Sequence, residues 1–590
     1  SLYDHSRMTA ALAAVLAEVD EDRLQAIAKD PGSSRDEVAL LVGGDISGVQ
    51  DFIYTISSKG AAKTLRGRSF YLQLLTEAAL RFVLNRLELP YTNVIYSGGG
   101  NFFLLAPLEA KEKLPALRAD LSRILLKHHG SALYMALGFA EVPAMGFKAG
   151  ELPKYWSAMH KAIQQAKHRR YSELGGDAYA LVFEPPKLGG NANETCSICG
   201  DDQRKTRKWD ELEVQERTCE LCFSFADEIG KHLPKSRFVA LGWNEPQEQS
   251  RGTASDALAE LGMTFQLLRD AKESVTLAAG RVTIWALDDP QNGNYPPANV
   301  PAAHVLRYVA NQVPPENFDE LQEKVKGGFK RLGVIRLDVD DMGKLFKDGL
   351  AENATLSRLA ALSFQLSLFF EGWMKEICAR NGRDVLVYTV YTGGDDAFLL
   401  GPWDVMPGLA QDIAREFSEY TGLHPDLHMS TGMSFIGGKY PIYQAAEDAH
   451  EALEAAKKSG KDAFNFLGRN WQWESFEILR QRSERLENIV TQKKDGGLDG
   501  SQAILHHLQN LAQSAEQHTD GKSRHVWGRW MWLGNYQLFR MVTLAKGEAL
   551  KDAIGSIKDE LHKSSYSDIG QWGAAARWVQ LKTRKPTQED

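Results

Sequence analysis

Cysteine is scarce in this chain, five in 590 residues, too few for a disulfide framework at this length. No run of 18 apolar residues occurs, so no transmembrane helix is expected. No secretory leader is recognisable, and the reading is a cytoplasmic protein away from membranes. Positive charge is in deficit: the net charge is −8. That excludes a general nucleic-acid coat, so any RNA or DNA contact must be local or supplied by partner subunits. The chain starts at Ser1, which reads as processed, tagged or truncated. What remains is an ordinary globular mixture, 43% hydrophobic and 25% charged. It is too long for one core, so several domains of about 100–200 residues are expected.

The same unit occurs twice. LVGGDISGVQDFI (41–53) and GVIRLDVDDMGKLF (333–346) each read as an apolar strand ending in an acid, Asp45 or Asp338, then a turn and a helix start. VIYSGGGNFFLLAP (94–107) parallels VYTGGDDAFLLGP (390–402), both reading as β-hairpins with glycines at the tip. LYMALGF (133–139) parallels LHMSTGM (427–433), and the helical AIQQAKHRR (162–170) parallels ALEAAKKSG (452–460). The spacings agree: residue 45 to 98 is a step of 53, and residue 338 to 393 a step of 55. The pattern strand–helix–hairpin–helix–strand–helix predicts an α+β chain with two ferredoxin-like palms.

The two copies differ where chemistry would be done. Nucleotidyl transfer needs divalent metal held by carboxylates. The second copy offers Asp338 at a strand end and Asp395 and Asp396 in the Gly393-Gly394-Asp395-Asp396 turn. Adjacent aspartates repel unless a cation sits between them. Asp340 and Asp341 add charge, a helix opens at Met342-Gly343-Lys344, and Lys457 and Lys461 are expected to meet a triphosphate. In the first copy Gly100 and Asn101 replace the two turn acids and Ser47 stands in place of Asp340. That copy keeps Asp45, Gly98, Gly99 and Lys167, and is expected to bind a nucleotide without activating it. Taken singly, each feature has a plainer reading. The turn suits any hairpin, the strand-end acid can cap a helix, and the lysines can be solvated. The joint spacing and the asymmetry favour chemistry.

Cys196-x-x-Cys199 and Cys219-x-x-Cys222 have the spacing of a tetrahedral four-cysteine zinc site, expected to be structural. Two disulfides are the other reading. The intervening KTRKWDELEVQER is too charged to build a core, so zinc is expected to hold the module together. Cys378 reads as a small apolar core residue on a helix. RFVALGW (237–243) and RVTIWALDD (281–289) read as strands of a connector. Residues 471–590 read as helices, with Trp527, Trp530 and Trp532 taken as core rather than as an RNA-stacking surface with Arg524, His525 and Arg529.

GGDISGVQDFIY, the degenerate SGGGN hairpin, the paired CxxC motifs and YTGGDDAFLLGP together resemble the large subunit of type III CRISPR effector complexes, most like the Csm type (type III-A). The second palm is also similar, more distantly, to diguanylate cyclase domains. The resemblance implies an RNA-activated enzyme that converts ATP to cyclic oligoadenylate messengers. Asp338, Asp395 and Asp396 would hold Mg²⁺ or Mn²⁺, and Gly393, Gly394, Lys457, Lys461, Gly98, Gly99 and Ser47 would contact nucleotide. Implied partners are crRNA, target RNA and other Csm subunits, especially the one capping the crRNA 5′ end and the small helical subunit. The family usually opens with an HD nuclease domain. This sequence contains no His-Asp pair, and Asp4 and His5 cannot make such a site alone, which leaves single-stranded DNase activity in doubt.

The expected layout is a remnant helix and linker over 1–35, a first, degenerate palm over 36–185 and a zinc-bearing connector over 186–325. A second, catalytic palm follows over 326–470, then a helical domain over 471–590. A non-catalytic scaffold binding RNA or nucleotide, and a cyclic dinucleotide synthase using GTP, stay open as alternatives.

Overall fold

The structure is a computed structural model. It describes residues 1–56, 61–183, 195–209, 216–287, 290, 293–307, 314, 316–491, 501–518, 527–545 and 547–584. The 185–194 loop, residues 210–215 of the charged insert, Arg524, His525 and the end of the tail lie outside the described residues. The chain divides into two compact units. One holds Ser1–Asn317, Asp338–Leu400 and Lys439–Glu447, the other Phe318–Leu337, Gly401–Gly438 and Asp448–Asp590. The chain passes between the units after Asn317 and four more times within residues 326–470.

In the first unit, β1 (Glu37–Ser47), β2 (Val94–Gly98), β3 (Asn101–Ala106) and β4 (Tyr134–Pro143) form an antiparallel sheet in the order β2-β3-β1-β4. β1 is central and buried along nearly its whole length, which is why LVGGDI is so apolar. Helices Ala61–Arg86, Ala110–His129 and Leu152–His168 connect and cover these strands. Gly138 in β4 explains one repeated letter. A Cβ there would lie 2.5 Å from the Ile163 nitrogen, so only glycine lets the Leu152–His168 helix approach. Gly432 of the second unit meets the Leu453 nitrogen at 2.1 Å by the same measure.

The N-terminal segment is two helices rather than one. Leu2–Leu16 is followed by Glu21–Lys29, which restarts because the Asp20 carboxylate caps the Asp22 and Arg23 amides. Asp4 is buried and ion-paired with Arg7.

Two short strands, β5 (Thr206–Lys208) and β6 (Arg217–Cys219), pair beside the cysteines. β7 (Phe238–Trp243), β8 (Met263–Leu268), β9 (Arg281–Ala286) and β10 (Ala302–Leu306) form a second sheet in the order β10-β9-β7-β8. β11 (Leu332–Val339) brings Asp338 into the first unit, and β12 (Tyr388–Gly393) and β13 (Asp396–Pro402) form the second hairpin. Cys378 is fully buried on the Met374–Ala379 helix.

In the second unit, β14 (Met429–Ile436) runs parallel to β15 (Ala463–Phe466), which pairs with β16 (Arg469–Gln472). Helices Trp473–Thr491, Ser501–Gln517, Arg529–Leu544, Glu548–Lys563 and Ile569–Thr583 follow. Phe464, Phe466, Phe476 and Trp578 interlock at their centre. The tryptophan cluster divides. Trp530 is buried, whereas Trp527 is 73% and Trp532 59% exposed. Trp527 precedes the helix, and Trp532 sits two residues from Trp530, about 200° around the axis, so one face cannot bury both.

Candidate active site: two hairpin tips in contact

Both hairpins turn in two residues. Gly98 pairs with Asn101 across the first tip and Gly393 with Asp396 across the second. Gly99 and Gly100 have positive φ (60° and 84°), as does Gly394 (67°), the conformation these tight turns demand. A backbone bond fixes each tip to the neighbouring strand end. Ile46 N–H donates to the Gly100 carbonyl at 3.0 Å, and Val339 N–H to the Asp395 carbonyl at 3.0 Å. These bonds put Asp45 with Asp338, Gly100 with Asp395 and Asn101 with Asp396. The alignment read from spacing is also a spatial one.

The tips touch. A Cβ on Gly99 would lie 3.3 Å from the Gly394 nitrogen, and one on Gly393 3.4 Å from the Gly99 Cα. Beside this contact lies a cleft of about 230 Å³. Asp338, Asp395, Asp396, Gly393, Gly394 and Tyr391 line one side and Gly99, Asn101 and the Val49–Tyr54 helix the other. A larger cavity of about 450 Å³ adjoins it through Asn101, Gly394 and Asp395. Its walls carry Trp156, Phe103, His160 and Phe346, with the Trp156 and Phe346 rings stacked at 6.2 Å. Burial lowers the His160 pKa, with Asp45 opposing and Lys167 reinforcing the shift.

The electrostatics of the copies diverge as their letters do. Asp45 is neutralised from within. Lys167 Nζ lies 2.5 Å away, and the Asn101 amide, turned to donate, reaches both carboxylate oxygens at 3.1 and 3.3 Å. Ser47 is buried with its hydroxyl making no hydrogen bond. The second tip instead brings three acids to one cleft. Their proximity registers on Tyr391, whose phenol is pushed well up by burial and then by Asp396, Tyr96 and Asp395. The three carboxylates do not close to a metal-ligand cluster. Among the described residues the four-cysteine group is the one set of three or more that does so. Lys457 lies in the last turn of the Ile442–Lys458 helix and Lys461 follows with φ 66°; both lysines belong to the second unit.

The four cysteines are free thiols, so no disulfide forms. Their sulfurs all lie within 4.8 Å of one another, with Cys199 and Cys219 3.9 Å apart. Four ligands at about 2.3 Å from a tetrahedral zinc would stand roughly 3.8 Å apart. The backbone is shaped to the sulfurs as well. Cys219 N–H donates to Cys196 Sγ and Cys222 N–H to Cys219 Sγ. Hydrogen bonds with the other three thiols drive the Cys196 pKa far down, and those same bonds, with burial, drive that of Cys222 up. The donor set fits Zn²⁺.

Sequence reasoning missed the aromatic cavity, because Phe346 is far in the chain from Trp156 and His160, which share the Leu152–His168 helix. It also passed over Tyr96 and Tyr391, although they hold the same place in the two repeats and thus carried a readable signal.

A family model for the Csm1 subunit domain B matches residues 38–184, and one for the second palm domain of Cas10/Cmr2 matches residues 331–465. The Cas10/Csm1 protein (subtype III-A) of Methanocaldococcus jannaschii is 27% identical over 78% of this chain and 63% of its own length. That of Streptococcus thermophilus is 28% identical over 83% of this chain and 62% of its own length. The chain is a relative of the Cas10/Csm1 large subunits. Those proteins are named CRISPR system single-strand-specific deoxyribonucleases, and this chain spans under two thirds of their length. A Csm1–Csm4 cassette crystallised with cA4 matches its fold at TM-score 0.71 and 22% identity, over 99% of this chain and 74% of that one. The same cassette with one ATP matches at 0.69 and 23%, with the same coverage. Among the described residues no helix is long and apolar enough to cross a membrane.

Proposed function

We propose that this chain synthesises cyclic oligoadenylates from ATP as the large subunit of a type III-A CRISPR complex, with target RNA as the trigger. The observation that carries this reading is the contact between one tip bearing acids and one bearing none. Such a junction suits two nucleotides with different roles. The first palm, its strand-end Asp45 neutralised by Lys167, presents an acceptor nucleotide. The second presents the donor to Asp338, Asp395 and Asp396. A divalent cation held by these carboxylates would ease loss of the 3′-hydroxyl proton and shield the phosphates. The acceptor 3′-oxygen forms a bond to the donor α-phosphorus. The bond from that phosphorus to the β-phosphate bridging oxygen breaks, pyrophosphate leaves, and the hydroxyl proton passes to solvent. The neighbouring tips orient the reactants, which converts a bimolecular encounter into a local one. The Trp156–Phe346 cavity adds flat apolar walls suited to a purine. Zinc held by Cys196, Cys199, Cys219 and Cys222 is structural.

Relatives crystallised with ATP and with cA4 support adenosine over guanosine. Csm4 is the partner named with those relatives; the other Csm subunits, crRNA and target RNA, in the cytoplasm, complete the proposed assembly. No DNA cleavage is assigned to these residues.

The test is mass spectrometry of products from the assembled complex with ATP, Mg²⁺ and matching target RNA, beside an Asp395→Ala/Asp396→Ala control. Ring masses at multiples of AMP minus water, absent from the control, are expected. Intact RNA binding with no product in any tube would replace the synthase by a scaffold. Product from GTP but not ATP would replace it by a guanosine-specific enzyme.

A further inference from the structure

Arg68 sits on the Ala61–Arg86 helix with 5% of its surface exposed. It lies against the faces of Phe52 and Phe225, at 5.2 and 5.8 Å from their centroids. One guanidinium nitrogen donates to the carbonyls of Phe52 at 2.6 Å and Thr55 at 3.0 Å. The other donates to Cys222 Sγ at 3.5 Å. These partners among the described residues include no carboxylate. A buried guanidinium without an anion is costly. The nearby anion is the cysteine cluster: four thiolates around one Zn²⁺ carry a net charge of −2. Arg68 therefore has the chemistry of a counter-cation to that centre.

Its other hand acts on the cleft. Phe52 and Thr55 lie at the C-terminal end of the Val49–Tyr54 helix, where carbonyls lack partners within the helix and a cation is favourable. The same helix contributes Val49, Gln50, Ile53 and Tyr54 to the cleft that holds Asp338, Asp395 and Asp396. Tyr54 packs at 4.8 Å on Phe398, two residues beyond Asp396. The helix begins at Gly48, where a Cβ would lie 2.1 Å from the Ala132 carbonyl oxygen. It is thus pinned at its start by backbone and at its end by Arg68.

We propose that Arg68 is a positioning residue through which the tetrathiolate centre sets the Val49–Tyr54 helix, and with it one wall of the carboxylate cleft. The proposal rests on the zinc reading of the four cysteines. Loss of metal would remove the anion that holds the guanidinium, release the two carbonyls, and loosen a wall of the nucleotide site without touching an acid.

The experiment uses the full chain as wild type, Arg68→Lys and Arg68→Met. Four quantities are read: zinc per chain, the thiolate-to-metal absorption of the Co²⁺-substituted protein, amide exchange over residues 49–55, and KM and kcat for ATP in the assembled complex. All three proteins are expected to hold one zinc. In Arg68→Met the cobalt band shifts, exchange at 52–55 rises about tenfold and kcat/KM falls about tenfold. Arg68→Lys restores the cobalt band and part of the exchange protection. Chelating zinc from the wild type speeds the same amides, and this arm decides the matter should Arg68→Met not fold. Zinc bound at one per chain, with exchange at 49–55 indifferent to chelation and to Arg68→Met, overturns the coupling alone. A wild-type chain without zinc overturns the tetrathiolate reading and the coupling together. Failure of ATP turnover in every protein strikes the synthase reading and leaves the cobalt and exchange readouts to judge Arg68.

Discussion

The crossing of the Ala61–Arg86 helix with the helical run Glu220–Gly230 permits a sharp test of how the cysteine-bearing segment is held. A Cβ on Gly67 would sit 1.8 Å from the Phe225 carbonyl oxygen, and one on Gly230 2.0 Å from that of Lys63. Both obstacles are backbone, so no rotamer relieves them. Real Cβ atoms essentially never come closer than 3.0 Å, so Gly67→Ala must part the helices by at least 1.2 Å. That stretches the Arg66–Gly230 hydrogen bond, now 2.6 Å, beyond bonding range. Overpacking costs about 1–3 kcal/mol and the lost bond about 1 kcal/mol. Alanine returns about 1 kcal/mol of helix propensity. The net is a loss of about 2 kcal/mol, or a fall of roughly 2–3 °C in the melting midpoint of a unit as large as the first. Gly555 is the matched control: it lies in the Glu548–Lys563 helix with nothing within 4 Å of its would-be Cβ, so Gly555→Ala should stabilise by up to about 1 kcal/mol. Calorimetry of the three proteins decides. A Gly67→Ala midpoint that rises as Gly555→Ala does would refute the close-crossing argument.

Asp395→Asn should lower turnover of the assembled complex by about 100-fold or more, with RNA binding unchanged by filter assay; a loss below tenfold would remove Asp395 from the chemistry. Cys219→Ser should reduce zinc well below one per chain and lower the first unit's melting midpoint, and full zinc retention would contradict a four-sulfur site. His129 gives a pH dependence. Burial, with Arg204 and His128, drops its pKa to about 3, and its Nε2 lies 2.6 Å from the Tyr71 hydroxyl. The native state then binds fewer protons than the unfolded state between pH 6.5 and about 3. Stability is present above the unfolded pKa and is lost as pH falls. From pH 7 to 5 this amounts to about 1–2 kcal/mol, read by denaturant titration, and His129→Gln should flatten that slope.

The sequence by itself determined the repeat, the strand-end and hairpin placement of Asp45, Asp338, Asp395 and Asp396, and the two cysteine knuckles. These are local: an apolar strand, a glycine turn and a CxxC spacing fix geometry within a few residues. The paired bonds from Ile46 and Val339 show that the letter alignment is a spatial one. It failed where burial is decided from afar. Trp527 and Trp532 read as core by type, yet of the three tryptophans Trp530 is the one buried. The N-terminal segment breaks at Asp20 through a side-chain cap rather than a proline or glycine. Only the tertiary structure decided that the two tips meet, that Lys167 neutralises Asp45, and that Trp156 and Phe346 wall one cavity. It alone revealed that Arg68 reaches both a thiol and the end of a cleft-lining helix. Contacts of this kind join residues tens to hundreds of positions apart. Their energy comes from excluding water between surfaces that the linear chain never shows side by side.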